Sequence, residues 1–205
     1  MLRRSLYIFF FLFVPIFSES VKRDNKVNFL FYGGKYTETD LLPILFSQKT
    51  DYRDSYIGVL GLNYPLLYKI RFLDFEAEAL FGKHFGIMNH WESDILMLAR
   101  ISNLFYLPMS FAFGEGVSLT SQNPTMENKR KGFYLDTGLF QFQAIESRNF
   151  LNYVMVELDY RVWDTSYNPR IFVRIHHRSG VFGLLCPPDP ACGSNFISYG
   201  VKFSY

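Results

Sequence analysis

Cysteine is scarce: the 205 residues hold two, Cys186 and Cys192. No further Cys or His pair stands beside them at zinc-ligand spacing, so a zinc-built fold is not expected. Charge of one sign is also lacking, with a formal net charge of +2. No Lys/Arg cluster is interleaved with aromatics, which excludes an obvious nucleic-acid surface and leaves no nucleic-acid partner expected. Past the N-terminus, no stretch approaches the roughly 20 apolar residues of a membrane-crossing helix, so a helical membrane protein is disfavoured. Internal repeats and low-complexity tracts are absent as well. Neither a metal nor a cofactor is expected from these residues.

The N-terminus reads as a secretory signal over residues 1–20. Arg3 and Arg4 form a short basic region, Leu6 to Phe17 is almost wholly apolar, and Ser18-Glu19-Ser20 supplies small residues where a signal peptidase reads. No Cys follows the apolar run, which argues against a lipoprotein signal. Residues 21–205 then form one domain. In an exported chain, two cysteines spaced as Cys186 and Cys192 predict a disulfide across an exposed loop.

Aromatics are plentiful, with 23 Phe and 14 Tyr, which suits a barrel with aromatic girdles at its interfaces. Alternation with period two recurs in eight segments. Leu73, Phe75, Ala77, Ala79 and Phe81 share one face, and Asp74, Glu76 and Glu78 share the other. Trp91, Ile95, Met97, Ala99 and Ile101 likewise oppose Glu92, Asp94 and Arg100. A strand face lined with carboxylates needs counter-charges or water. The arrangement that supplies them is an all-β fold, an eight-stranded antiparallel transmembrane β-barrel, with charges paired inside and apolar residues facing hydrocarbon. Closure removes the unpaired edges that lipid cannot satisfy. The predicted location is the bacterial outer membrane. Pro65 is expected to break the second segment. Ser118 to Phe150 is read as an extracellular loop with room for local structure. The C-terminal strand closes on Phe203-Ser204-Tyr205, an aromatic ending of the kind engaged by the barrel-assembly machinery.

The seventh segment, Arg170 to Ser179, carries the candidate chemistry. Period two puts His177 and Ser179 on the face of Ile171, Val173 and Ile175, opposite Arg174, His176 and Arg178. Counting back by twos from Tyr205 puts Asn195 on that same face. A base and a nucleophile on the apolar face of a strand suit chemistry on a lipid. His176 is expected to bond a buried carboxylate, whereas His84 and His90 are read as solvated residues flanking an outer loop. Asp74, Glu76 and Glu78 are read as barrel-filling ion-pair partners.

The stretch Val173-Arg-Ile-His-His-Arg-Ser-Gly-Val-Phe-Gly183, followed by Gly193-Ser-Asn195 and an alternating last strand, resembles the lipid A 3-O-deacylases of the PagL type. The resemblance is specific over residues 171–205 and a matter of pattern elsewhere. It implies an eight-stranded outer-membrane barrel with a His-x-Ser pair on the seventh strand and an acid on the eighth, facing lipid. His177 then stands as base, Ser179 as nucleophile and Asn195 at the acid position, with lipid A or lipopolysaccharide of the outer leaflet as partner. Two positions depart from the family. Gly180 stands where the family has Asn after its serine, and Asn195 stands in place of a carboxylate. Backbone amides from Gly180 to Gly183 are the candidate oxyanion donors, and Glu115 or Glu157 the candidate substitute acids. Lys131 is a candidate for meeting lipid phosphates, and Arg178 is expected to point inward. The competing expectation is a non-enzymatic barrel, structural or adhesive, acting through the Ser118–Phe150 loop. A pore is disfavoured because eight strands leave an interior filled by side chains.

Overall fold

In the computed structural model, the described residues are 26–39, 41–46, 50–70, 72–127, 129–136, 139–145, 147–180, 185–186 and 192–205. The expected signal segment lies outside them. Strands β1 (Asn28–Thr37), β2 (Tyr52–Ile70), β3 (Leu73–Gly86), β4 (Trp91–Ser102), β5 (Met109–Thr120), β8 (Phe150–Arg161), β9 (Arg170–Ser179) and β10 (Gly193–Ser204) form the barrel wall. They close in the order β1-β10-β9-β8-β5-β4-β3-β2, every neighbour antiparallel. A short helix, α1 (Leu41–Phe46), follows β1. No helix among the described residues is long and apolar enough to cross a membrane.

The polarity of the wall is inverted relative to a water-soluble protein. Phe31, Leu62, Ile95, Phe113, Ile171 and Phe203 are exposed on the outside. Glu78, Arg100, Glu157, Asp159 and Arg174 are buried inside. An outer face of this kind fits hydrocarbon, and the molecule is built as an outer-membrane barrel. The start of β1 and the end of β10 lie together at one rim, so β9 runs toward the opposite rim and β10 returns.

The lumen is held by a continuous set of ion pairs. Arg174 bonds Glu78 at 2.5 and 3.1 Å and Glu157 at 2.5 and 3.0 Å. Arg100 bonds Glu76 at 2.8 and 3.1 Å and Glu157 at 3.0 Å, and also pairs with Asp159. Lys202 reaches Glu157 at 2.8 Å. The expected role of Glu76 and Glu78 as barrel-filling partners is what this network shows.

Two features depart from the expected path of the chain. Pro65 does not end β2; it pairs with Glu76, and the register then shifts before Lys69 pairs with Asp74. The irregularity tolerates the residue that cannot donate to the ladder. The excursion between β5 and β8 also has its own structure. A 3-10 turn, Thr125–Glu127, places Glu127 inside the barrel mouth, where Arg178 holds it at 2.7 and 2.8 Å. Ser147 and Ser194 donate to the same carboxylate at 2.5 and 2.6 Å. Strands β6 (Lys129–Asp136) and β7 (Leu139–Ile145) form a separate two-stranded sheet.

Removing one partner of the central network leaves buried charge without compensation. Arg174→Met is expected to destabilise the barrel by about 3–5 kcal/mol, the range for breaking a buried ion pair. Urea unfolding of the reconstituted protein measures it; an unchanged midpoint would contradict the assignment of Arg174 as the hub.

Candidate active site

On β9 the alternation holds to the extracellular end. Phe172, Arg174, His176 and Arg178 are buried in the lumen, while His177 and Ser179 lie on the outer face above Ile171 and Val173. In the ladder, His177 stands opposite Asn195 of β10 and Val154 of β8. Ser179 stands opposite Gly193 of β10 and Asn152 of β8. Directly opposed residues share a face, with Cβ atoms about 4.5–5.5 Å apart. Five polar residues thus share the outer wall near its extracellular rim: Glu115, Asn152, Ser179, His177 and Asn195.

The imidazole is held in one tautomer. His177 Nδ1 and Asn195 Oδ1 lie 2.6 Å apart. The Asn195 amide nitrogen donates to the Thr39 carbonyl at 3.0 Å. That second bond fixes which way the amide faces, because a flipped amide would put its oxygen against a carbonyl. Asn195 Oδ1 therefore accepts from the Nδ1 proton, which in the neutral ring leaves the lone pair on Nε2. Thr39 is itself anchored: its amide donates to Thr37 Oγ1 and its hydroxyl accepts from the Asp51 amide, both at 3.1 Å. Thr37 Oγ1 donates to the Asp51 carbonyl at 3.1 Å.

Gly193 is required by this geometry. Its φ is +143°, and a Cβ there would lie 2.1 Å from the Arg178 carbonyl oxygen. Gly180 packs against the disulfide that joins Cys186 and Cys192, with a Cβ at 180 falling 2.9 Å from Cys186 Cβ. Both cysteines are buried rather than exposed, beside Leu151.

Several expectations need correction. The Gly180 amide donates to the Cys192 carbonyl at 3.0 Å, so it is committed to the loop and not offered to an oxyanion. Gly183 lies outside the described residues, as does the side chain of Lys131. Glu157 is fully buried in the ion network and cannot serve His177 from the lumen side. Glu115 is on the outer face, where it accepts from the Asn152 amide at 3.4 Å. Asn152 was missed by sequence reasoning. Its only signal was outward parity two residues into β8, which gains meaning once the register sets it beside Ser179. Arg178 points inward, as expected.

His176 bonds a buried carboxylate as expected, with Nε2 2.8 Å from Glu92 Oε1. His84 and His90 are not solvated: they are 1% and 2% exposed, and their rings stack 4.0 Å apart. The β3–β4 turn folds His90 over the barrel mouth, where burial, and then the neighbouring His84, push its pKa down to about 3. Among the described residues, two sets of side chains could hold a metal, His84 with His90 and Glu92, and Glu92 with Asp94 and His176; both are buried in the lumen.

No family model and no curated protein matches this chain. Among solved structures, the crystal structure of Neisserial surface protein A is similar at 13% identity and TM-score 0.47, covering 88% of this chain and 97% of that one. The N-terminal β-barrel domain of Pseudomonas aeruginosa OprF is similar at 11% identity and TM-score 0.46, covering 88% and 98%. The outer membrane enzyme PagL is similar at 12% identity and TM-score 0.47, covering 85% and 97%. Likeness of this degree says nothing of activity, which has to be argued from the wall itself.

The tautomer is measurable without any substrate. Nitrogen-15 chemical shifts of His177 are expected to show a protonated Nδ1 and a bare Nε2. Asn195→Ala is expected to move the ring toward the opposite tautomer or a mixture. A ring protonated on Nε2 in the parent protein would contradict the relay.

Proposed function

We propose that this barrel is an outer-membrane esterase that removes an ester-linked acyl chain from lipid A. One observation carries the reading: an imidazole on the lipid-facing wall has its Nδ1 proton directed to Asn195, itself fixed by the Thr39 carbonyl, two residues from a serine. A structural histidine at a membrane interface has no need of such a relay.

In this reading Ser179 Oγ attacks the acyl carbonyl carbon, and its proton passes to His177 Nε2. The protonated ring then returns that proton to the departing sugar oxygen as the ester bond breaks. Water from the headgroup layer hydrolyses the acyl-serine by the same exchange. Asn195 acts as a positioning residue. It holds the tautomer but adds no negative charge to steady the imidazolium. In serine proteases, Asn in place of the acid costs on the order of ten-thousandfold in turnover, through the wrong tautomer. Here the amide orientation avoids that fault, so the penalty is confined to the missing charge. Oxyanion stabilisation falls to Asn152, opposite Ser179 in the ladder, whose amide donates one N–H to Glu115 and has a second to offer. Below the site, an apolar groove of about 550 Å³ runs along β8, β9, β10 and β1, lined by Leu158, Ile171, Val173, Tyr199, Val201 and Phe31. It offers acyl chains a track on the strands that carry the site. The last strand, β10, is the segment for the barrel-assembly machinery to engage.

The β6–β7 hairpin favours a second reading, a non-enzymatic barrel that binds surface ligands. It pairs only with itself, apart from the barrel sheet. One experiment separates the two. Mass spectra of lipid A from cells expressing the parent chain are expected to lose one hydroxyacyl mass, and spectra from Ser179→Ala cells to lose none. Asn152→Ala is expected to slow the reaction by about 10²–10³-fold, the usual loss for one oxyanion donor. Unmodified lipid A from cells with folded parent protein would turn the reading to ligand binding.

A further inference from the structure

The extracellular half of the lumen holds a polar cluster that neither the ion network nor the outer wall uses. His84 lies two residues before the end of β3, His90 in the following turn, and Glu92 is the second residue of β4. Donor atoms from all three lie within 4.8 Å of one another. A tetrahedral ion with bonds of about 2.0–2.2 Å needs its ligand atoms about 3.3–3.6 Å apart, and binding would rotate the stacked rings so that their lone pairs converge.

Two further observations point to a missing ligand. The first is unsatisfied polarity. Both ring nitrogens of His90 and Nδ1 of His84 are buried without a hydrogen-bond partner among the described residues. Both carboxylate oxygens of Asp94, next along the same strand face, are in the same condition. Buried polar groups of native proteins are nearly always paired, so several together require an explanation. The second is charge. Glu92, Asp94 and Glu127 are all buried at this end. The guanidinium set against them is Arg178, which bonds Glu127 at 2.7 and 2.8 Å and lies 3.9 Å from Glu92. Glu92 and Glu127 against that one guanidinium leave a local excess of negative charge that a divalent cation would offset.

We infer that His84, His90 and Glu92 form a binding site for a divalent transition-metal ion, of which zinc is the best fit, inside the extracellular mouth of the barrel. Two imidazoles and a carboxylate are a ligand set that suits zinc, with water in the fourth position. His84 Nε2 now lies 2.6 Å from Glu92 Oε2, so the ion would replace the proton shared between them. Glu92 also accepts from Ser118 Oγ at 3.0 Å and bonds His176 at 2.8 Å, and these partners orient the ligating carboxylate. Bound metal would tie the β3–β4 turn to the wall.

The test uses the full barrel folded in detergent, stripped with chelator and then titrated with Zn²⁺. The expected result is one equivalent retained through gel filtration, a higher unfolding temperature, and X-ray absorption showing imidazole and oxygen ligation. His90→Gln is expected to weaken binding at least tenfold, since even outer-shell changes cost about 10–100-fold. The heat-dependent gel mobility of a folded barrel checks that the variant is intact. Should His90→Gln not fold, the ligation spectrum of the parent protein decides alone. No stoichiometric zinc, ligation without imidazole, or unchanged affinity in folded His90→Gln would each overturn the site. None of these readouts depends on ester hydrolysis.

Discussion

The ion network centred on Arg174 constrains everything else in this molecule. Arg174 and Glu157 are fully buried, and each is bonded to more than one opposite charge. Such groups cannot face hydrocarbon, where an unpaired charge costs several kcal/mol. Their placement fixes the inward face of β3, β4, β8, β9 and β10. Because the side-chain period is two, a slip of one residue would turn every charge outward and every Phe and Ile inward. The register is therefore set by electrostatics inside and by lipid outside, with the two in agreement.

The outer site inherits its position from that lock. His177 and Ser179 lie between and beyond inward-facing His176 and Arg178, both of which are engaged in the lumen. The inward pairs hold the strand so that the outward pair meets the interface at a fixed height. Across the ladder, the register brings Asn195 to His177 and Asn152 to Ser179. The same strand thus carries structure on one face and candidate chemistry on the other. The disulfide of Cys186 and Cys192 and the tight contact at Gly180 lie at the end of β9, beside Ser179.

The barrel was legible in the sequence because charge and apolarity alternate cleanly along β3, β4 and β9. The outward parity of His177, Ser179 and Asn195 followed from the same rule. What was not legible depended on contacts between distant segments. Glu157 read as a candidate acid because parity alone does not reveal that Arg174, Arg100 and Lys202 surround it. His84 and His90 read as loop residues because nothing local shows that their turn folds over the mouth. Asn152 had no meaning until β8 was set beside β9. The commitment of the Gly180 amide to Cys192 depends on the return of the loop after the disulfide. Pro65 misled because a bulge can absorb the donor it lacks.

The central claim is one of orientation, and photolabelling from within the bilayer tests it most directly. With a diazirine on the acyl chains of the reconstituted membrane, peptide mapping should find label on Ile171, Val173, His177 and Tyr199. Arg174, His176 and Arg178 should carry none. Label on Arg174 or His176, with His177 protected, would place the site in the lumen and contradict the account.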